Sequence, residues 1–353
     1  MGNPFNKEIA MHISSIVNYY RERRITPVRN VHGLLTVRGM KLLDGEIREF
    51  YRPCIKKLAY YSCVPDKKGD FEKGGGKHYY IKNRILINRG FRKDGKKRYS
   101  FISYSGVKGY YRNGLGKVSP SARTMFEEDY TTALTLYKAG FYEKSVEYLG
   151  RALHMAEDMN CMPHIEGWTY FSKFACFHKI YEQTARLMYP EFVPPLKKSK
   201  ELDAKIKTYF SDKRCFSEFN TSKSFYMFEL GMFFKDMEKL IASDLYRTET
   251  AVAGLLYRFY IDALSDDSWY VCSGMRFKGL PEIRVTENGV TFSGDVLSGV
   301  YRVAHRFDGC FTFSPLNDSK GKVIGRKNGE YILSTFNPSD TSQLFTLQKQ
   351  EEF

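Results

Sequence analysis

The sequence predicts a mainly α protein that ends in a small antiparallel β domain. Up to about residue 265, apolar residues recur at helical spacing in one segment after another. Beyond that point the chain becomes short alternating runs broken by Gly, Asn and Asp. A length of 353 residues with 42% hydrophobic content can bury a sizeable core, and it suits one large domain plus a small one.

Residues 5–25 read as an amphipathic helix, with Ile9, His12, Ile13, Ile16 and Tyr20 on one side. Residues 31–63 read as helical with irregular ends. The stretch 64–120 is rich in Gly, Lys and Tyr and reads as long loops with short strands. A Ser-Pro-Ser signal opens a helix over 121–139. The next helix covers 142–158, with Val146, Leu149 and Leu153 at helical spacing, and another covers 167–187. A Pro-rich loop follows from Tyr189, and helices resume over 200–210, 225–243 and 245–264. The runs after Asp266, such as Gly289-Val-Thr-Phe and Cys310-Phe-Thr-Phe, make up the β domain. The expected domains are therefore 1–265 and 266–353.

Charge is distributed unevenly. Residues 1–125 carry 27 Lys+Arg against 9 Asp+Glu, whereas the remainder is slightly acidic. From Lys77 to Lys117 the basic residues interleave with aromatics, a surface that attracts a polyanion, either nucleic acid or an anionic membrane. No window approaches 18 consecutive apolar residues, which excludes a transmembrane helix, and no signal peptide is visible at the N-terminus. Seven scattered cysteines do not form a disulfide framework.

The histidines point to chemistry. His154 and Asp158 are four residues apart on one predicted helix, so both project from one face. His178 and Glu182 repeat that spacing on the next, and His164 sits in the intervening turn. Two helices that each offer a His/carboxylate pair, joined by a turn offering another His, make a zinc cage.

The run His154-Met-Ala-Glu-Asp158-Met-Asn-Cys-Met-Pro-His164, preceded by Tyr148-Leu-Gly, resembles the signature of the bacterial zinc-dependent phospholipase C family, which includes alpha-toxin-like secreted toxins. His178-xxx-Glu182 continues the pattern. Pro65-Asp66 with His78 twelve residues on matches an earlier part of it, and His12 fits a further histidine near the mature N-terminus. The resemblance covers about residues 2–265 and implies a helical catalytic domain of the zinc phospholipase C/single-strand nuclease type. The sequence departs from the pattern at Pro163, at Glu157 where Gly is usual, and at Lys67, a Lys where choline-selective members often place an aromatic.

The resemblance implies three zinc ions. One would be held by His164, His178 and Glu182. A second would be held by Asp66, His78 and His154 and bridged by Asp158. The third would be held by Asp158, His12 and the amine of Gly2 once Met1 is removed. Asp66 is the implied general base, and Lys67 would favour an anionic headgroup. The implied activity is phospholipase C, giving diacylglycerol and a phosphorylated headgroup at a phospholipid membrane surface by a secreted, monomeric enzyme. The β domain is expected to serve membrane or glycan attachment, with a pure packing role equally open. Two other readings stay open: a zinc-dependent single-strand nuclease or other phosphodiesterase, which the basic N-terminal third suits, and a non-catalytic binding module with structural zinc.

Overall fold

The structure, a computed structural model, describes residues 30–74, 76–80, 84–91, 97–105, 110–113, 118–167, 175–189, 193–209, 230–266, 270–294, 297–306, 309–316, 321–337 and 339–348. The helix read over 5–25, with Gly2 and His12, lies outside the described residues.

Three helices open the described chain: α1 (Val31–Leu42), α2 (Gly45–Tyr51) and α3 (Ile55–Tyr61). The segment 64–120, read from sequence as loops with short strands, contains more regular structure than that. After a run of turns it forms a four-stranded antiparallel sheet of β1 (Arg84–Phe91), β2 (Lys97–Ser105), β3 (Tyr110–Asn113) and β4 (Val118–Pro120). Its Ile, Phe and Tyr residues favour strands, and the Gly and Lys between them disguise the alternation.

Helices α4 (Ala122–Lys138) and α5 (Tyr142–Asp158) follow the sequence reading closely. The expected helix over 167–187 corresponds to α7 (Ala175–Met188), and a single-turn helix that the sequence reading did not expect, α6 (Met162–Glu166), precedes it. Gly167 ends α6 in the left-handed region, at φ 69°, which glycine adopts without a Cβ clash. After α8 (Lys200–Thr208), the two helices expected over 225–264 are one 35-residue helix, α9 (Leu230–Leu264). At the expected break, the Asp244 carboxylate accepts the Met162 N–H while its own helix continues.

One apolar core runs through α2, α3, α4, α5 and α9, centred on residues such as Phe126, Tyr130, Leu153 and Leu256. A second joins α1, α7 and α9 through Leu35, Ile180, Tyr181, Ile241 and Leu245. Two glycines permit the close helix contacts. A Cβ on Gly39 of α1 would lie 2.4 Å from a Val252 methyl on α9. A Cβ on Gly150 of α5 would lie 2.4 Å from the Tyr61 Cβ at the end of α3.

The strands after α9 have a third core, built on Phe277, Phe311, Phe313 and Ile324. The strands β5 (Ile283–Thr286), β6 (Gly289–Phe292), β7 (Tyr301–His305) and β8 (Phe311–Pro315) form an antiparallel sheet, and β9 (Lys322–Lys327) pairs with β10 (Glu330–Thr335). This part is bonded to the helices by polar side chains. Thr131 and Thr132 of α4 accept the backbone N–H groups of His305 and Val303. Arg302 of β7 is buried, 3.2 Å from Glu128 and 3.6 Å from Glu72. Arg151 of α5 reaches the same Glu72 at 2.9 Å, and both guanidinium groups stack on the Phe71 ring. Two arginines from different layers thus hold the segment that carries Asp66 and His78.

Arg302→Ala is expected to lower stability by about 3–5 kcal/mol, because it strands buried carboxylates without their cation; urea unfolding measures it. Gly150→Ala forces α3 and α5 apart and is expected to cost about 1–3 kcal/mol in the same assay.

Candidate metal centre

Asp158 is the last residue of α5, is buried, and lies where a helix presents its negative end. A carboxylate there needs nearby cationic partners, and imidazoles surround it. His78 Nδ1 is 2.7 Å from one carboxylate oxygen and His154 Nε2 is 3.2 Å from the same one. His164 and His32 approach the other oxygen at 3.5 and 4.0 Å. Burial opposes ionisation of Asp158, but the charges of His164 and His154 and the hydrogen bonds of His154 and His78 outweigh it and hold its pKa well below the usual carboxylate value.

Each ligand candidate has a reason for its position. His154 sits one turn before Asp158, and its Nδ1 is 2.7 Å from the Ser62 carbonyl at the end of α3. That bond places the proton on Nδ1 and leaves the Nε2 lone pair facing the cluster. His178 and Glu182 are one turn apart on α7 and 2.8 Å from each other, and the Tyr79 hydroxyl lies 3.4 Å from His178 Nδ1. Tyr80 donates its N–H to the His164 carbonyl, tying the segment after His78 to α6. Asp244 of α9 accepts from the Met162 N–H and the Tyr181 hydroxyl, at 3.1 and 2.5 Å, so one carboxylate fixes both α6 and α7.

Three groups emerge, each with its donor atoms within 4.8 Å of one another: Asp66, His78 and His154; His164, His178 and Glu182; and His32, His154 and Asp158. Seven residues singled out from the sequence are therefore brought together. Gly2 and His12 lie outside the described residues, and a further histidine near Asp158, absent from the sequence reading, is His32. Its signal was a cap: Asn30, whose side chain accepts the Gly33 N–H, starts α1 with a histidine at its second position. Lys67 follows Asp66, and its ammonium lies 3.7 Å above the Tyr60 ring.

The donor set fits zinc. It offers imidazole nitrogen and carboxylate oxygen, the ligands a borderline divalent cation prefers. His154 Nε2 and His78 Nδ1 face each other at 3.0 Å, a contact that needs a proton or a cation between the lone pairs. His78 Nε2 and His164 Nδ1 are buried without a hydrogen-bond partner among the described residues. An adjoining cavity of about 230 Å³ is lined by the donors His32, Asp66, Asp158, His164 and Glu182 and by the apolar residues Val31, Leu35, Ala185 and Leu245.

Protons compete with cations for the same donor atoms. Burial lowers the pKa of His32, but the hydrogen bond to Glu157 and the charges of Glu157, Asp158 and Asp66 overcome this and raise it to about 10. Burial likewise opposes charge on His78, yet its bond to Asp158 raises it. Glu182 resists burial through its bonds to His164 and His178, which pull its pKa down. A histidine with a raised pKa stabilises the fold fully below its ordinary value of 6.5, and that contribution is lost as pH rises toward about 10. Asp158, with a depressed pKa, contributes above its ordinary value and loses this as pH falls through the lowered one. The metal-free protein should therefore melt at a lower temperature at about pH 9 than at about pH 6. Zinc should remove most of that difference while releasing protons, because metal and proton compete for the same nitrogens. Thermal melts at the two pH values, with and without zinc, measure this.

No family model matches the chain, and no curated protein does. Among solved structures, the alpha-toxin of Clostridium perfringens from the avian strain SWCP is similar, with a TM-score of 0.48 and 14% identity over 87% of this chain and 96% of that one. The alpha toxin of Clostridium absonum is similar as well, with a TM-score of 0.49 and 14% identity over 92% of this chain and 95% of that one.

Proposed function

We propose that the chain is a zinc-dependent phosphodiester hydrolase of the phospholipase C type. It would cleave the glycerol-side phosphodiester of a phospholipid to diacylglycerol and a phosphorylated headgroup. The observation that carries this reading is the cavity, whose lining combines nitrogen and oxygen donors with the apolar side chains of Val31, Leu35, Ala185 and Leu245. A glycerolipid presents the same pairing, an anionic phosphodiester next to apolar chains.

His164, His178 and Glu182 would hold one zinc and Asp66, His78 and His154 a second, while His32 and Asp158 offer donors to a third, since the single free nitrogen of His154 serves one cation. Bound zinc supplies a lowered water pKa and neutralises phosphoryl charge. Asp66 is exposed at the cavity edge and is the general base: it takes the proton of the attacking water as the new bond to phosphorus forms. The same proton then leaves with the diacylglycerol oxygen as the old bond breaks. Arg186 borders the cavity and suits a phosphate or an anionic headgroup, and Lys67 beside Asp66 adds positive charge at the rim.

The enzyme would act as a secreted monomer on a membrane surface, with residues 266–353 as the attachment domain. Among the described residues no helix is long and apolar enough to cross a membrane. The excess of Lys and Arg in residues 1–125 favours one second reading, a zinc-dependent nuclease for single strands.

The full chain, stripped with chelator and reloaded with zinc, should release diacylglycerol from phospholipid vesicles and leave single-stranded DNA intact. Asp66→Asn should lower kcat by about 100-fold or more. Cleavage of the DNA alone would install the nuclease in its place. Turnover of neither substrate by zinc-loaded protein would end both readings.

A further inference from the structure

Glu157 precedes Asp158 on α5 and is buried, with 2% of its surface exposed. It belongs to none of the three donor groups. An ionised carboxylate away from water is costly unless its oxygens are paired. Burial pushes its pKa up to about 7, against the hydrogen bonds from His32 and Thr36 that pull it down.

Those two partners are specific. His32 Nδ1 lies 2.6 Å from one Glu157 oxygen, and the Thr36 hydroxyl donates to the other at 3.2 Å. His32 and Thr36 are one turn apart on α1, so a single helix face grips both oxygens. Close packing fixes that face: a Cβ on Gly33 would lie 2.9 Å from the Ala59 carbonyl of α3. The His32 ring rests against His154, with centroids 4.2 Å apart. Its Nδ1 edge is taken by Glu157, and its Nε2 edge faces Asp66 at 3.7 Å and Asp158 at 4.0 Å.

We propose that Glu157 is a positioning residue for the metal centre: it holds the His32 imidazole with the proton on Nδ1, so that Nε2 is presented to the cation shared with Asp158. A carboxylate behind a metal-bound histidine fixes tautomer and ring orientation and raises the basicity of the ligating nitrogen. His154 receives the same treatment from the Ser62 carbonyl. These two neighbouring imidazoles are therefore each fixed from behind, one by a backbone carbonyl and one by a carboxylate. Glu157 also adds negative charge beside the site without occupying a coordination position, which favours a divalent cation there.

This inference rests on the proposed metal centre, and the experiment separates the two. The full-length protein is stripped and titrated with zinc against a competing chelator, and the metal-free thermal midpoint is recorded for each variant. Glu157→Ala should weaken one zinc equivalent by about 10–100-fold and leave the others at wild-type affinity. His32→Ala should lose the same equivalent. Glu157→Gln keeps an oxygen that accepts from Nδ1–H and should restore most of the affinity. Thr36→Val, which spares the carboxylate and keeps the side-chain volume, should give a several-fold loss at that equivalent. The inference fails if Glu157→Ala binds every equivalent like wild type, if all equivalents weaken together, or if Glu157→Gln binds no better than Glu157→Ala. Wild-type protein that takes up no zinc would instead overturn the metal centre itself.

Discussion

The rest of the site depends on one electrostatic constraint: the Asp158 carboxylate is buried at the C-terminal end of α5, where the backbone offers it carbonyls and not amides. Only cations make that position tolerable. Four imidazoles from four segments converge on it, and their own second nitrogens are then directed by the Ser62 carbonyl or by Glu157, or are buried without a hydrogen-bond partner among the described residues. The two outer carboxylates, Asp66 and Glu182, are exposed, whereas the two inner ones are not. The inner carboxylates therefore set the geometry, and the outer ones remain open to solvent and ligand.

The scaffold answers to this constraint through close contacts. Gly150 lets α3 touch α5, and that contact brings the Ser62 carbonyl within reach of His154. Gly39 does the same for α1 and α9. On the opposite side of the cluster, the turns between Asp66 and His78 have little apolar content of their own and depend on Arg151, Arg302 and Glu72 around Phe71. Because Arg302 comes from β7, the strand-rich part contributes to the loop that bears two of the donors.

The legible part of the centre was the part encoded locally. His154 with Asp158 and His178 with Glu182 announce themselves because one helical turn fixes their relation whatever the rest of the chain does. Their helices were legible for the same reason, the periodic apolar face. His32 was not legible in this way. It approaches Asp158 across more than a hundred residues, and nothing in its own neighbourhood except the Asn30 cap marks it. Glu157 looked like an ordinary helix glutamate because its burial comes from α1, a distant element. The continuity of α9 was hidden similarly: Asp244 sits at the expected break, and the Met162 and Tyr181 groups that bond one of its oxygens come from distant elements. The sheet over 84–120 was obscured by composition, since Gly and Lys dominate a segment whose pairing is set by its Ile, Phe and Tyr residues.

The long helix has a mechanical consequence. Asp244, about midway along α9, grips the α6 and α7 segments that carry His164, His178 and Glu182. Asp262, near its end, bonds Tyr130 of α4 at 2.8 Å, next to the threonines that hold β7. At 1.5 Å per residue these two anchors are about 27 Å apart on one uninterrupted rod. A rod of that kind transmits rotation without absorbing it. A load applied to the strand-rich end, as when a protein seats on a surface, would reach the donor cluster as a tilt of α6 and α7 and not dissipate in a flexible joint.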